Sequence, residues 1–408
     1  MQQIDIDRLA LVTAQLPHNP RLLVSGNFAT PRILLDALDR QIPEYRLNML
    51  NAQPGIPDRP GVTYETAFVG AGMRGRDDLH YFPARLSLLP RLIRTHTLPD
   101  LVVIHTSTPR TGLVSLGSEV NILPAAIESA RKHGALVIAQ ANPHMPYTFG
   151  DSEIAVDDID FLIEASEPLQ VKPAIESTPV ASAIGNEIAT RIKDGSTLQT
   201  GIGAVPDAVL ESIQDRKGLR IWTEMFSDGV LGLRDAGALD VRSHIVASFV
   251  FGSQELYDWI NLNPRIRMRR TEVTNSSGKI AKQPKMMSIN AALQVDLFDQ
   301  ANSSRANGRI YSGFGGATDF IIGALHSEGG LAFMALPSWH EKTNSSTIIP
   351  KLTEPVTSFQ HSYVVTEFGA AHCAGAAQSE QAKNLIEKAA HPQARDELTK
   401  AARDLHLL

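Results

Sequence analysis

Short uninterrupted apolar runs set the rhythm of this chain. Leu22-Leu23-Val24-Ser25-Gly26, Leu101-Val102-Val103-Ile104, Leu136-Val137-Ile138-Ala139 and Phe161-Leu162-Ile163-Glu164 show no alternation of apolar and polar positions. Such runs read as strands covered on both faces, as in a parallel sheet. Between them lie segments of helical period. After Thr30-Pro31, the positions Ile33, Leu34, Leu38 and Ile42 fall on one helix face, and a second helix is expected over 120–133. Apolar strands alternating with amphipathic helices predict an α/β fold with largely parallel sheets.

From Ser166 to Pro179 the rhythm stops, and Pro168, Pro173 and Pro179 interrupt any period. Val180, Ile184, Ile188 and Ile192 then recur at i, i+4 and open a second run of strand–helix units. The chain therefore divides into an N-terminal α/β domain over 1–175 and a C-terminal α/β domain over 176–408. In the second part, His244 to Gly252 reads as one buried strand. Arg265, Arg267, Arg269 and Arg270 alternate with Ile266 and Met268, which predicts an edge strand with a solvated face. A contact with ligand phosphate is the other reading of those arginines.

Composition narrows the partners. A net charge of −6 gives no general pull toward nucleic acid. The single cysteine, Cys373, excludes an internal disulfide and a cysteine zinc cluster. The first residues carry neither a basic nor an apolar leader pattern, and the apolar runs are too short to span a bilayer. The expectation is a cytoplasmic protein without a membrane span.

Chemistry gathers between Ser196 and Asp228. Thr197 to Thr200 is a β-like run that stops at Gly201, and Gly201-Ile202-Gly203-Ala204-Val205 forms a turn in which two residues lack a Cβ. Such a turn is either plain scaffolding or a cradle whose amides meet an anion at the start of a helix. Pro206 has the φ wanted at the first helical position, and Asp207 suits the positive end of the dipole. A second run, Leu219 to Thr223, delivers Glu224 to the end of another strand, where ligands of open α/β sheets sit. Near-matches elsewhere fail. Pro206 stands where a dinucleotide fingerprint needs its third glycine, and Lys217-Gly218 does not complete a P-loop. Ser115 comes one place too late for G-x-S-x-G. His340-Glu341-Lys342-Thr343-Asn344 lacks the last histidine of H-E-x-x-H. No metal site is expected.

Gly201-Ile202-Gly203-Ala204-Val205-Pro206-Asp207-Ala208-Val209 and Thr223-Glu224-Met225-Phe226-Ser227-Asp228-Gly229 resemble the acetyl-CoA hydrolase/transferase family. Within it the likeness is to the class I 4-hydroxybutyrate and butyrate:acetate CoA-transferases. Three further stretches carry the same resemblance: Ser288 to Leu297, Ser312-Gly313-Phe314-Gly315-Gly316-Ala317-Thr318-Asp319-Phe320, and Tyr363 to Gly369. So do Arg74-Gly75 with Tyr81 to Ala84, Ser107 to Pro109 with Gly112 to Gly117, and Asn142 to Asp151. The chain departs from the pattern at Ala317, where relatives commonly carry Gln, and at 370–375, where a Leu-Arg pair is missing.

The resemblance implies two similar open α/β domains with the active site in the cleft between them. It makes Glu224 the nucleophile of a glutamyl-CoA thioester. It assigns CoA contacts to Gly201, Ile202, Gly203, Ala204, Val205, Asn290, Gly313, Gly315 and Gly316. No permanent cofactor is implied; CoA and acyl-CoA are substrates, and the second substrate is a short-chain carboxylate such as acetate. A homodimer or larger homo-oligomer goes with the family. An acyl-CoA hydrolase needs the same Glu224, and a non-catalytic acyl-CoA-binding protein is the third reading.

Overall fold

The computed structural model describes residues 1–172, 178–356 and 360–408. The chain forms two compact units, and no single cut separates them. One comprises Met1–Pro173, Ile245–Thr274 and Ile310–Gly315; the other comprises Ala174–His244, Asn275–Arg309 and Gly316–Leu408. The expected boundary at 175/176, with Pro173 beside it, lies outside the described residues. Two stretches assigned to the second domain on sequence belong to the first unit.

The first unit is built on eight strands: β1 (Gln2–Gln3), β2 (Arg21–Val24), β3 (Tyr45–Asn48), β4 (Val62–Thr66), β5 (Leu79–Tyr81), β6 (Leu101–Thr106), β7 (Leu136–Ala141) and β8 (Phe161–Glu164). They run in the order β1-β8-β7-β6-β2-β3-β4-β5, and every pairing is parallel. All six residues of β6 are buried, as its unbroken apolar run requires. Helix α1 (Arg32–Gln41) covers the sheet through Leu34, Leu35, Ala37 and Leu38. Helix α2 (Leu123–His133) ends on Gly134, whose left-handed backbone (φ 74°) suits a residue without a Cβ.

A small parallel sheet completes this unit, with Ile266–Met268 in the middle between Ile245–Ala247 and Phe149–Gly150. The arginine-rich stretch is thus a central strand, contrary to the edge expected for it. Ile266 and Met268 are buried on one side, which accounts for the alternation. The arginines are held by acids: Arg270 by Glu128 at 2.6 Å, and Arg269 by Asp151 at 3.4 Å. The expected strand over His244 to Gly252 is interrupted at Ser248, where the chain changes from Ile245–Ala247 to Phe249–Val250. Ser248 spends its hydroxyl on the Arg269 carbonyl and on Thr274.

The second unit opens with α3 (Pro179–Ala189), capped by the Thr178 hydroxyl accepting from the Ala181 N–H, with Pro179 at the first position. Ile184, Ile188 and Ile192 are buried as the period predicts. Helix α3 crosses α4 (Ala204–Ser212) at Gly185, where any Cβ would strike the Ala208 backbone. Four strands run parallel and side by side: β9 (Thr197–Thr200), β12 (Met286–Ala291), β13 (Leu331–Ala335) and β14 (Tyr363–Thr366). Strand β10 (Arg220–Ile221) joins β9 in parallel, β11 (Met225–Phe226) pairs with it antiparallel, and β15 (Gly369–His372) returns antiparallel on β14. Helix α5 (Ala317–Leu325) buries Phe320, Ile321 and Ala324 with Met286 and Met334 in the core. Among the described residues no helix is long and apolar enough to cross a membrane, and no group of three or more His, Cys, Asp or Glu side chains is placed to hold a metal ion.

Strand order in the first unit reverses at β2, which has β3 on one side and β6 on the other, so the chain ends of these strands flank a switch point. The residues there are polar: Asn27, Glu119 and Asn121 are buried, and Asn51 is partly so. Glu119 accepts from Asn27 Nδ2 at 2.6 Å and from Asn121 Nδ2 at 3.0 Å, and Asn51 donates to Asn27 at 2.8 Å. Burial pushes the Glu119 carboxyl up to about 7, against the two amide donors that favour its charged form. A carboxyl raised in the fold contributes stability that is full below its ordinary value of 4.5 and is lost as pH rises through about 7. Glu119→Gln removes that dependence, and Asn121, whose Oδ1 has no hydrogen-bond partner, can turn to receive the new amide. The melting temperature of Glu119→Gln should therefore gain on wild type between pH 5 and pH 8, by a difference worth at most about 3 kcal/mol. A gap that stays constant across this range in thermal melts would show that Glu119 is ionised in the fold throughout.

Candidate active site

Glu224 sits on a bend at the carboxyl end of β10, immediately before β11. Thr223 fixes that bend. It is buried, and its hydroxyl donates to the Met225 carbonyl at 2.8 Å and lies 3.3 Å from that of Thr200. Thr200 and Met225 are antiparallel partners. One position further along this register, Gly201 stands opposite Glu224.

The Gly201–Val205 turn has the shape its glycines suggested, with one change. Helix α4 begins at Ala204, so Pro206 is its third residue and not its first. The helix bears this without loss, because N–H groups of a first turn have no partner within the helix. The first such bond runs from Asp207 N–H to the Gly203 carbonyl at 3.1 Å. Gly203, the residue before the helix, has φ 131° and ψ 179°, a region that is essentially glycine's own. A Cβ on Gly203 would meet nothing within 4 Å. Backbone conformation explains this glycine; crowding by protein does not. Ile202 is 41% exposed on the same turn.

The 312–317 loop places its glycines against protein. Gly313 and Gly315, in the first unit, lie on the Ala67–Phe68 segment, and a Cβ at 313 would come within 2.6 Å of the Ala67 carbonyl oxygen. Gly316, in the second unit, precedes α5 with ordinary helical backbone (φ −102°, ψ −1°). Its requirement is steric. A Cβ there would fall well under 3.0 Å from both Glu224 Oε2 and Asn275 Nδ2. At Gly316, to which the resemblance assigns a CoA contact, the close neighbour in the fold is Glu224.

Asn275 was not visible in the sequence. It is 1% exposed and donates from Nδ2 to Glu224 Oε2 at 2.8 Å. It follows the four-residue helix Thr271–Thr274 in a polar stretch, Thr274-Asn275-Ser276-Ser277, that carries no periodic signal. A buried amide directed at a half-buried carboxylate, beside a position that admits no side chain, fixes that carboxylate in one orientation.

Other candidates separate from this group. Asn290, on β12, is 8% exposed and belongs to a polar knot between strands. Its Nδ2 donates to Ser288 Oγ at 2.9 Å, and Ser288 donates to Gln199 Oε1 at 2.7 Å. Ser115 is consumed in the fold, donating to the Thr148 carbonyl at 2.9 Å and accepting from the Gly117 and Thr148 N–H groups. His372, the last residue of β15, is exposed, while Cys373 just beyond it is buried, so the two side chains diverge. Burial, with Asp299 nearby, pushes the Cys373 thiol far above its ordinary value.

Comparison with known proteins adds an independent view. Residues 62–173 match the model of the acetyl-CoA hydrolase/transferase N-terminal domain, and residues 252–402 that of the acetyl-CoA hydrolase/transferase C-terminal domain. The 4-hydroxybutyrate coenzyme A transferase of Clostridium kluyveri is 36% identical over 98% of both chains. An acetyl-CoA hydrolase of Saccharomyces cerevisiae is 29% identical over 60% of this chain and 51% of its own. Among solved structures, RipA from Yersinia pestis superposes with a TM-score of 0.91 at 30% identity, covering 100% of this chain and 98% of that one.

The contact at Gly316 predicts an energetic coupling. Gly316→Ala should destabilise the wild-type protein by about 1–3 kcal/mol, as overpacked positions do. In a Glu224→Ala background, where the clashing carboxylate is gone and only the Asn275 amide still has to move aside, part of that cost should disappear. Thermal melts of the four proteins in this cycle decide it, and equal costs in both backgrounds would refute the contact.

Proposed function

The chain belongs to the acetyl-CoA hydrolase/transferase family and is an acyl-CoA:carboxylate CoA-transferase, and we propose that it works through a covalent glutamyl-CoA thioester on Glu224. The substrates in this reading are a short-chain acyl-CoA and a small acid such as acetate. Chain length is inferred from relatives of the 4-hydroxybutyrate kind. The observation that carries the mechanism is the Asn275–Glu224 hydrogen bond beside the missing side chain of Gly316.

A carboxylate attacks a thioester poorly, so the reaction proceeds in stages. A Glu224 oxygen adds to the acyl carbonyl, the C–S bond breaks, and CoA leaves as thiolate with an acyl–glutamyl anhydride behind it. The thiolate then adds to the Glu224 carbonyl carbon. The anhydride C–O bond breaks, releasing the acyl group as a carboxylate and leaving CoA on Glu224. A second carboxylate takes up CoA by the reverse steps. When the Glu224 carbon becomes tetrahedral, its oxygen gains charge where Asn275 Nδ2 already donates. The Gly201–Val205 turn, with amides at the start of α4, is the corresponding candidate donor for the acyl oxygen. The Gly203 backbone and the open space about it support that role. Binding energy from the distant nucleotide holds the reacting atoms together. A cytoplasmic location and a homo-oligomeric state belong to the same reading.

Incubated with acyl-CoA and no acceptor acid, the protein should gain the mass of CoA less one water on the peptide holding Glu224, and Glu224→Ala should gain none. An adduct that survives the substitution would mean another nucleophile. Rapid CoA release without an adduct would indicate a hydrolase, and binding without turnover a non-catalytic binding protein.

Asn275→Ala should lower kcat by about 10²–10³ while KM changes little, the penalty seen when an oxyanion donor is lost. Steady-state kinetics check this. A defect confined to KM would make Asn275 a ground-state contact only.

A further inference from the structure

Strands β10, β9, β12, β13 and β14 are mutually parallel in that order, so their carboxyl ends share one edge of the second unit. Glu224 lies at the β10 end. At the β13 and β14 end three rings meet. Trp339 and His391 have centroids 4.7 Å apart, and Phe368 stands edge-on to His391 at 5.3 Å. The loops that carry them are joined. The Ser338 N–H donates to Glu367 Oε2 at 2.9 Å, the Ser338 hydroxyl donates to the other oxygen, and Thr366 donates to the Ala389 carbonyl at 2.7 Å. His391 is delivered by a π-helical turn, Leu385–Ala389, a costly geometry that tends to be kept at functional sites. Its Nδ1 accepts from the Gln393 N–H, leaving the hydrogen on Nε2 in the neutral ring.

Phe368 is 44% exposed at the edge of this cluster. A braced aromatic group with an open face is a surface on which a planar base can stack. Strands lie about 4.8 Å apart, so the rings stand roughly 14–19 Å along the edge from Glu224. An extended pantetheine arm with its diphosphate covers that span. We propose that Trp339, Phe368 and His391 form the platform for the adenine of CoA, holding the nucleotide at one end of the strand row while the thiol reaches Glu224 at the other. This rests on the CoA-transferase reading above.

Two substrates isolate the contact: acyl-CoA, and the acyl-pantetheine of the same acid, which lacks the nucleotide. In Trp339→Ala and Phe368→Ala, KM for acyl-CoA should rise roughly 10-fold relative to KM for acyl-pantetheine, the scale of one lost base–aromatic stack. Trp339→Phe and Phe368→Tyr should restore most of the ratio. A second measurement does not depend on turnover. Adenosine 3′,5′-bisphosphate should quench tryptophan fluorescence in wild type and in Glu224→Ala, and the quench should vanish in Trp339→Phe. An unchanged KM ratio, equal losses with both substrates, or a quench that persists without Trp339 would overturn the platform. Failure of the Glu224 adduct with the quench intact would instead fault the reaction and spare the site.

Discussion

The candidate site of the second unit depends on one carboxylate sharing space with a residue that has no side chain. Glu224 comes off a bend whose register is set by Thr200 and Met225. Gly316 closes on it at the start of α5, and Asn275 fills the remaining side with a hydrogen-bond donor. A flexible glutamate would sample many orientations and lose entropy on reaching the reactive one. Here the packing of α5 into the core, through Phe320 and Ile321, fixes where Gly316 stands and so limits where the carboxylate can go. In the mechanism proposed for Glu224, core stability and reactivity are linked through that single approach.

The layers of the fold were legible in the sequence because parallel strands buried on both faces leave unbroken apolar runs. Those over 22–24, 101–104, 136–139 and 161–164 all lie in strands of one sheet. Helix α3 was legible from Ile184 and Ile188, whereas Pro179, which on sequence only breaks the period, is its first residue. Less legible was anything fixed by distant partners. The Arg265–Arg270 stretch alternates like an edge strand but has neighbours on both sides. Its burial is set by segments far away in the chain. The division into units was hidden for the same reason, since no local signal marks 245–274 or 310–315 as belonging with the first 173 residues.

At the site, Glu224 and the glycine loops were found through motifs, yet the reason for Gly316 was not. The resemblance assigns the three glycines of the 312–317 loop to CoA, and the structure shows two protein neighbours for them: Gly313 and Gly315 lie on Phe68, and Gly316 on Glu224. Asn275 has no periodic neighbours and stands in a polar stretch like many loops; only tertiary structure turns it toward a carboxylate. Asn290 shows the opposite case, a residue within a recognised motif whose amide is engaged in a knot with Ser288 and Gln199.

The discontinuous first unit has a consequence for how the chain is made. Strand Phe149–Gly150 pairs with Arg267 and Met268, and Gly150 lies so close to Met268 that no larger residue fits. Val69 donates to the carbonyl of Ser312. A ribosome that has released residues up to 173 has therefore delivered the large sheet but not the segments that finish its unit. Domains ordinarily fold in turn as they emerge. Here the first unit cannot be complete until residue 315 has emerged, when about half of the second has been synthesised, so its folding cannot finish before much of the other unit exists.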